Sequence, residues 1–225
     1  VPLFQRTFPA ADVRAVGPGN KAAYDEAQAF AGVQHLTAVF ETDETTIREN
    51  FIPLKPDPAR VDELRARYRK DGRPLVGIAW GSSNPGKDLP PLTAWRGLIS
   101  RPDLRFVSLQ YGQVESDLKI LTDGELARIL HDGSIDQLVD MDLFAAQVAA
   151  MDAVVTISNT GAHLAGALGI PSVFILGDGF KRSWPVEGDC TPYYPSAVLV
   201  SKRERPWAAV MEDAQDHMGL LISTV

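Results

Sequence analysis

Asn159 and His163 stand one helical turn apart in "SNTGAHLAGALG", directly after the apolar run "AVVTIS" (153–158). A strand that passes at once into a helix leaves the first-turn N–H groups without intrahelical partners, and such an end attracts anions. Asn159 or Ser158 can cap the turn, Thr160, Gly161 and Ala162 are small, and His163 shares a face with Asn159. The stretch therefore has room for a diphosphate with an imidazole donor beside it. Spacing alone leaves a second reading open, a capped helix whose histidine packs against its neighbours.

A second anion-type loop is "GSSNPGKD" (81–88), which fits G-x-x-x-x-G-K after an apparent strand. It fails as a P-loop because Asp88 replaces the Ser/Thr that would hold Mg²⁺, and the prolines of "LPPL" prevent an immediate helix start. A loop carrying Ser82, Ser83 and Lys87 can still cradle an anion; plain loop flexibility is the alternative. "DMD" (140–142) has the Asp-x-Asp spacing of some metal-dependent sugar transferases, but Asp142 beside an alanine-rich helix is expected to be its cap, and no metal is expected. "DGFKRSWPVEGDCTPYYPS" gathers Lys181, Arg182, Trp184, Tyr193 and Tyr194, which can pair with phosphate and stack on a sugar or can simply cover the core.

Other chemistry finds no support. There is no Gly-x-Ser-x-Gly elbow and no distinctive carboxylate pair, so no catalytic residue is assigned. The four histidines have no ligand-pair spacing, and the single cysteine, Cys190, excludes an internal disulfide. A net charge of -7 argues against nucleic acid as a partner. With no leader-like start and no apolar run of the ~20 residues that a spanning helix needs, a cytoplasmic protein without a transmembrane segment is expected.

The elements that must position these residues alternate from Pro74 onward. Strands are predicted at 75–80, 105–110, 153–158, 172–176 and 197–200, with helices in "PLTAWRGLIS", "VESDLKIL", "DLFAAQVAAMD", "TGAHLAGALG" and "PWAAVMEDAQDHMGLLI". That alternation predicts an α/β fold, a Rossmann-like parallel sheet with helices on both faces, whose strand-end loops line one edge. Residues 1–58, with the proline-rich "NFIPLKPDPAR" at their end, are expected to be a partial amino-terminal domain and linker. Residues 59–225 are expected to form the Rossmann-like domain.

In order and spacing, "LVGIAWGSSNPGKDLPPL", "RFVSLQYG", "IDQLVDMDLFAAQVAAMDAVVTISNTGAHLAGALGIPSVFIL" and "YYPS" resemble the carboxy-terminal half of GT-B glycosyltransferases. They are similar to the lipopolysaccharide heptosyltransferases and, more closely, to relatives found downstream of tetratricopeptide repeats. The resemblance spans residues 74 to about 200. It implies a domain that binds a nucleotide-diphosphate sugar, UDP- or ADP-linked, as substrate with no cofactor, and metal-independent transfer to an unknown glycan, lipid-linked or protein acceptor. By position, Ser82, Ser83 and Lys87 would approach the diphosphate, Gln110 and Tyr111 the nucleoside, and Asn159, Thr160, Gly161 and His163 the phosphates. The Gly-rich first unit of the family's amino-terminal domain has no counterpart here, so the chain is expected to begin mid-protein and to be inactive alone. A non-catalytic nucleotide-sugar-binding or scaffold module is the alternative.

Overall fold

Among the described residues the short apolar runs form six strands: β1 (Leu75–Ala79), β2 (Arg105–Ser108), β3 (Ile129–Leu130), β4 (Ala153–Ile157), β5 (Ser172–Leu176) and β6 (Ala197–Ser201). This computed structural model describes residues 1–15, 28–29, 32, 36, 40, 43–112, 114–178, 184–185 and 188–223. All neighbouring strands are parallel, in the order β3-β2-β1-β4-β5-β6. β1, β4 and β5 are buried at every position. Burial on both faces is why they read as continuous apolar runs and not as alternating ones. β3 escapes the sequence because two residues at a sheet edge leave no periodicity to detect.

Among the described residues the α-helices are α1 (Pro2–Thr7), α2 (Glu44–Glu49), α3 (Pro58–Tyr68), α4 (Arg96–Ile99), α5 (Val114–Leu118), α6 (Asp123–Leu126), α7 (Met141–Ala149), α8 (Thr160–Ala167) and α9 (Trp207–Ile222). Leu64 and Tyr68 of α3, Phe144 and Val148 of α7, and Ala162 and Ala165 of α8 cover one sheet face with Leu75, Val154 and Phe174. Leu98 and Ile99 of α4 and Val210, Met211, Ala214 and Met218 of α9 cover the other with Val76, Ile78, Val155 and Ile175. Odd and even strand positions thus feed different cores, as the period-2 pleat requires. Gly77 has a packing reason: a Cβ there would lie 2.4 Å from Leu109 Cδ1.

One expectation changes. The cap of α7 is Asp140, whose Oδ1 accepts from the amides of Asp142 and Leu143 at 3.0 Å each. Asp142 lies inside the first turn and pairs instead with Arg6 of α1, a partner 136 residues away in sequence. The cap sits two residues earlier because Asp140 alone has the non-helical backbone that aims its carboxylate at those amides. Lys181 and Arg182, and most of "AGVQHLTAVF" (31–40), lie outside the described residues.

Two described pieces of the amino-terminal segment lie against the α/β unit. α1 packs on α7, and the Leu54 amide donates to Ala167 O at the end of α8 (2.8 Å). Within the first core Tyr68 donates to Asp132 at 2.8 Å. Burial pushes the Asp132 carboxyl up, but hydrogen bonds from Ser134, Tyr68 and Arg67 outweigh it and bring it down to about 2. Among the described residues no helix is long and apolar enough to cross a membrane.

Candidate anion site at the strand switch point

The chain leaves β1 towards β2 but leaves β4 towards β5, so the loops after these two adjacent strands diverge and open a crevice at the carboxyl edge of the sheet. The β1 loop is shaped by its own polar residues. Asn84 Oδ1 accepts from Gly86 N at 2.9 Å, and the Asn84 amide donates to Ser82 Oγ at 3.2 Å. At its base Gln110 Oε1 accepts from the amides of Trp80 (3.0 Å) and Gly81 (2.7 Å), while Gln110 Nε2 donates to Tyr111 O (2.9 Å). Gln110 is buried and both ends of its amide are used, so it ties the β1 and β2 loops together. The Tyr111 hydroxyl reinforces this tie by accepting from Ser83 N at 3.1 Å.

Lys87 crosses the crevice. Its ammonium donates to the carbonyl of Ser158 at 2.5 Å, directly before the amino end of α8. There Asn159 is the cap, with Oδ1 accepting from Ala162 N at 3.0 Å. That leaves the amides of Thr160 and Gly161 as first-turn donors without an acceptor among the described residues. A Cβ on Gly161 would come within 3.1 Å of Asn159 Oδ1, so glycine keeps the cap uncrowded.

His163 is anchored from two sides. Its ring stacks on Trp184 with centroids 4.7 Å apart and planes 6° from parallel. Its Nδ1 lies 3.0 Å from the Tyr194 hydroxyl, while no described residue engages Nε2. Burial, reinforced by the positive charge of Lys87, holds the imidazole below its ordinary value and favours its neutral form. Burial pushes the Tyr111 phenol up, but hydrogen bonds from Ser83 and Ser82 and the charge of Lys87 outweigh this and leave it lowered. Lys87 is therefore electrostatically coupled to both walls of the crevice.

The structure thus brings Lys87, Asn159, Thr160, Gly161 and His163 around one helix terminus, and joins Ser82, Ser83, Gln110 and Tyr111 across the neighbouring loops. Trp184 and Tyr194 are used on His163 and on Phe174, whereas Tyr193 is half exposed with its ring 6.5 Å from that of Tyr194. Trp184 also donates its indole N–H to Ser158 Oγ at 2.7 Å.

Sequence reasoning missed the clamp behind the loop. Lys202 bridges Asp88 (2.8 Å) and Asp178 (3.3 Å), tying the β1 loop to the ends of β5 and β6. Gly177 permits it, because a Cβ there would sit 1.9 Å from Asp88 O. A glycine directly after the fourth apparent strand was the available signal. Among the described residues no group of three or more His, Cys, Asp or Glu could hold a metal ion.

No family model matches the chain. In solved structures, the ADP-heptose LPS heptosyltransferase II of E. coli superposes with a TM-score of 0.55 at 17% identity, over 77% of this chain and 54% of that one. A glycosyl transferase family 9 protein from Veillonella parvula gives 0.55 at 15% identity with the same coverage of each chain, 77% and 54%. The six-stranded unit has the Rossmann-like α/β fold of the matching part of these GT-B glycosyltransferases. Among curated proteins, Protein FlbA of Caulobacter vibrioides is 30% identical over 232 residues, 93% of this chain. The chain spans 38% of FlbA and 54% of each of those two solved structures.

Proposed function

We propose that the crevice between the β1 loop and α8 binds the diphosphate of a nucleotide sugar, UDP- or ADP-linked, and that the chain is the donor-binding part of a glycosyltransferase. The observation that carries this is Lys87, whose ammonium stands at Ser158 O beside the two open amides of the α8 terminus. A fixed cation, two amides and the positive end of a helix dipole converge there, and together they favour a dianionic group. The GT-B fold supports the choice of a nucleotide sugar over other phosphate esters.

In transfer, an acceptor oxygen bonds to the anomeric carbon as the bond to the diphosphate oxygen breaks, and the electron pair leaves with the diphosphate. Lys87 and the Thr160 and Gly161 amides face the charge that develops and are held in place before it forms. Burial favours the neutral form of His163. If the Tyr194 hydroxyl donates to Nδ1, the imidazole proton sits on Nε2 and becomes one more donor. No metal enters this proposal, and the acceptor base is left to residues beyond those assigned here.

Amide correlation spectra test the reading. Titration with UDP or ADP is expected to move the Thr160 and Gly161 resonances first and furthest. Saturating nucleotide that leaves both unmoved would remove this site as the donor site.

A further inference from the structure

On the side of α8 away from the β2 loop lies a cleft of about 480 Å³, lined by Glu44, His163, Trp184, Pro185, Pro192, Tyr193 and Tyr194. Its volume falls within the range of about 300–1,000 Å³ that holds small ligands. Trp184 belongs to this cleft and also to the Lys87–Ser158 crevice, where its indole N–H holds Ser158. A group bound at the α8 terminus therefore has the cleft as its neighbour across His163 and Trp184.

We infer that this cleft is a pyranose-binding subsite in which the Tyr193 ring carries the C–H face of the sugar and the Glu44 carboxylate accepts from its hydroxyls. The inference rests on the donor-site proposal for its position but not for its chemistry.

Two observations point to a sugar. Tyr193 is 48% exposed, although its neighbour Trp184 is buried and Tyr194 is partly buried, so an aromatic ring is left to solvent in the wall of the cleft. The negative face of an aromatic ring attracts polarised C–H groups, which a pyranose presents on one side. Glu44 supplies the complementary half. It is the first residue of α2, fixed by the Asp43 cap on Thr46 N (2.7 Å), and no described residue pairs with its carboxylate. A carboxylate with free lone pairs accepts from adjacent hydroxyls with charge-assisted strength. Pro185 and Pro192 add apolar walls that compete for no hydrogen bond.

The test compares Tyr193→Ala and Glu44→Gln with the unaltered chain by calorimetry. The probes are UDP and ADP alone, UDP-glucose, UDP-N-acetylglucosamine and ADP-glucose, and methyl glucosides with and without saturating UDP. Both residues are exposed, so both variants are expected to melt with the parent. Bare nucleotides should bind all three proteins within twofold, while each variant weakens pyranose-bearing probes by about tenfold. A loss confined to the nucleotide sugars makes the donor the source of the pyranose, and a loss confined to the methyl glucosides makes it the acceptor. Failure of every pyranose probe to bind better than its sugar-free counterpart, or equal binding by variants and parent, overturns the subsite. Bare nucleotides that do not bind overturn the donor-site proposal instead, and the glucosides without UDP still decide the cleft.

Discussion

The His163 imidazole lies flat on the Trp184 indole, 4.7 Å between centroids, and that same indole donates to the hydroxyl of Ser158. The histidine is thereby locked beside the residue whose carbonyl receives Lys87. Both readings of the histidine that spacing left open meet in this arrangement, because one ring face packs while Nε2 has no described partner.

Replacing His163 by Ala is expected to act twice. Loss of stacking on Trp184 and of the Tyr194 contact lowers stability by about 1 kcal/mol. Loss of a donor at the anion site weakens UDP and ADP binding by roughly tenfold. Denaturant melts and calorimetry read the two separately, and unchanged nucleotide affinity would leave the histidine a packing residue.

The pH dependence of stability has a definite sign. The folded pKa of His163 lies below its unfolded value of about 6.5, so the unfolded chain takes up the proton first. Stability therefore falls as pH drops through about 6.5 towards the lowered folded value, and the penalty is absent above that window. His163→Gln should flatten this part of the curve. Parallel melting curves for parent and variant between about pH 5 and 8 would contradict it.

Asn159→Ala removes the side-chain acceptor from Ala162 N and should cost about 1 kcal/mol in urea unfolding. Asn159→Asp, which keeps the acceptor, should recover most of it. Equal loss in both variants would show that the cap is not what Asn159 contributes.

Gly177→Ala places a methyl where the backbone oxygen of Asp88 now stands. Backbone has to move, so a loss of roughly 2 kcal/mol is expected. The Asp88–Lys202 bridge and the adjoining Lys87 should shift with it, weakening nucleotide binding as well as stability. A variant as stable as its parent would mean the loop has slack that the close approach does not suggest.

Much of this was legible in sequence because parallel strands buried on both faces leave unbroken apolar runs such as "LVGIAW" and "SVFIL". The helix start at Asn159 was legible for a similar local reason, the short polar break between β4 and α8. What stayed hidden depends on contacts between distant residues. Asp140 and Asp142 are equivalent as local capping candidates, and only Arg6 on α1 reveals which one is engaged elsewhere. Gln110 and Tyr111 were placed at a nucleoside by resemblance, whereas the Gln110 amide is spent on Trp80, Gly81 and Tyr111 itself. Glu44 lies within residues 1–58, read only as a partial amino-terminal domain and linker, and nothing local brings it to Tyr193.

The central claim is that Lys87 and the α8 terminus form a diphosphate site, and calorimetric titration of UDP and ADP into the parent chain and Lys87→Ala measures it directly. Saturable one-to-one binding by the parent, weakened at least tenfold in a variant that still melts cooperatively, is the predicted result. No heat and no melting shift with either nucleotide at saturating concentration, or equal affinity in the two proteins, would contradict it.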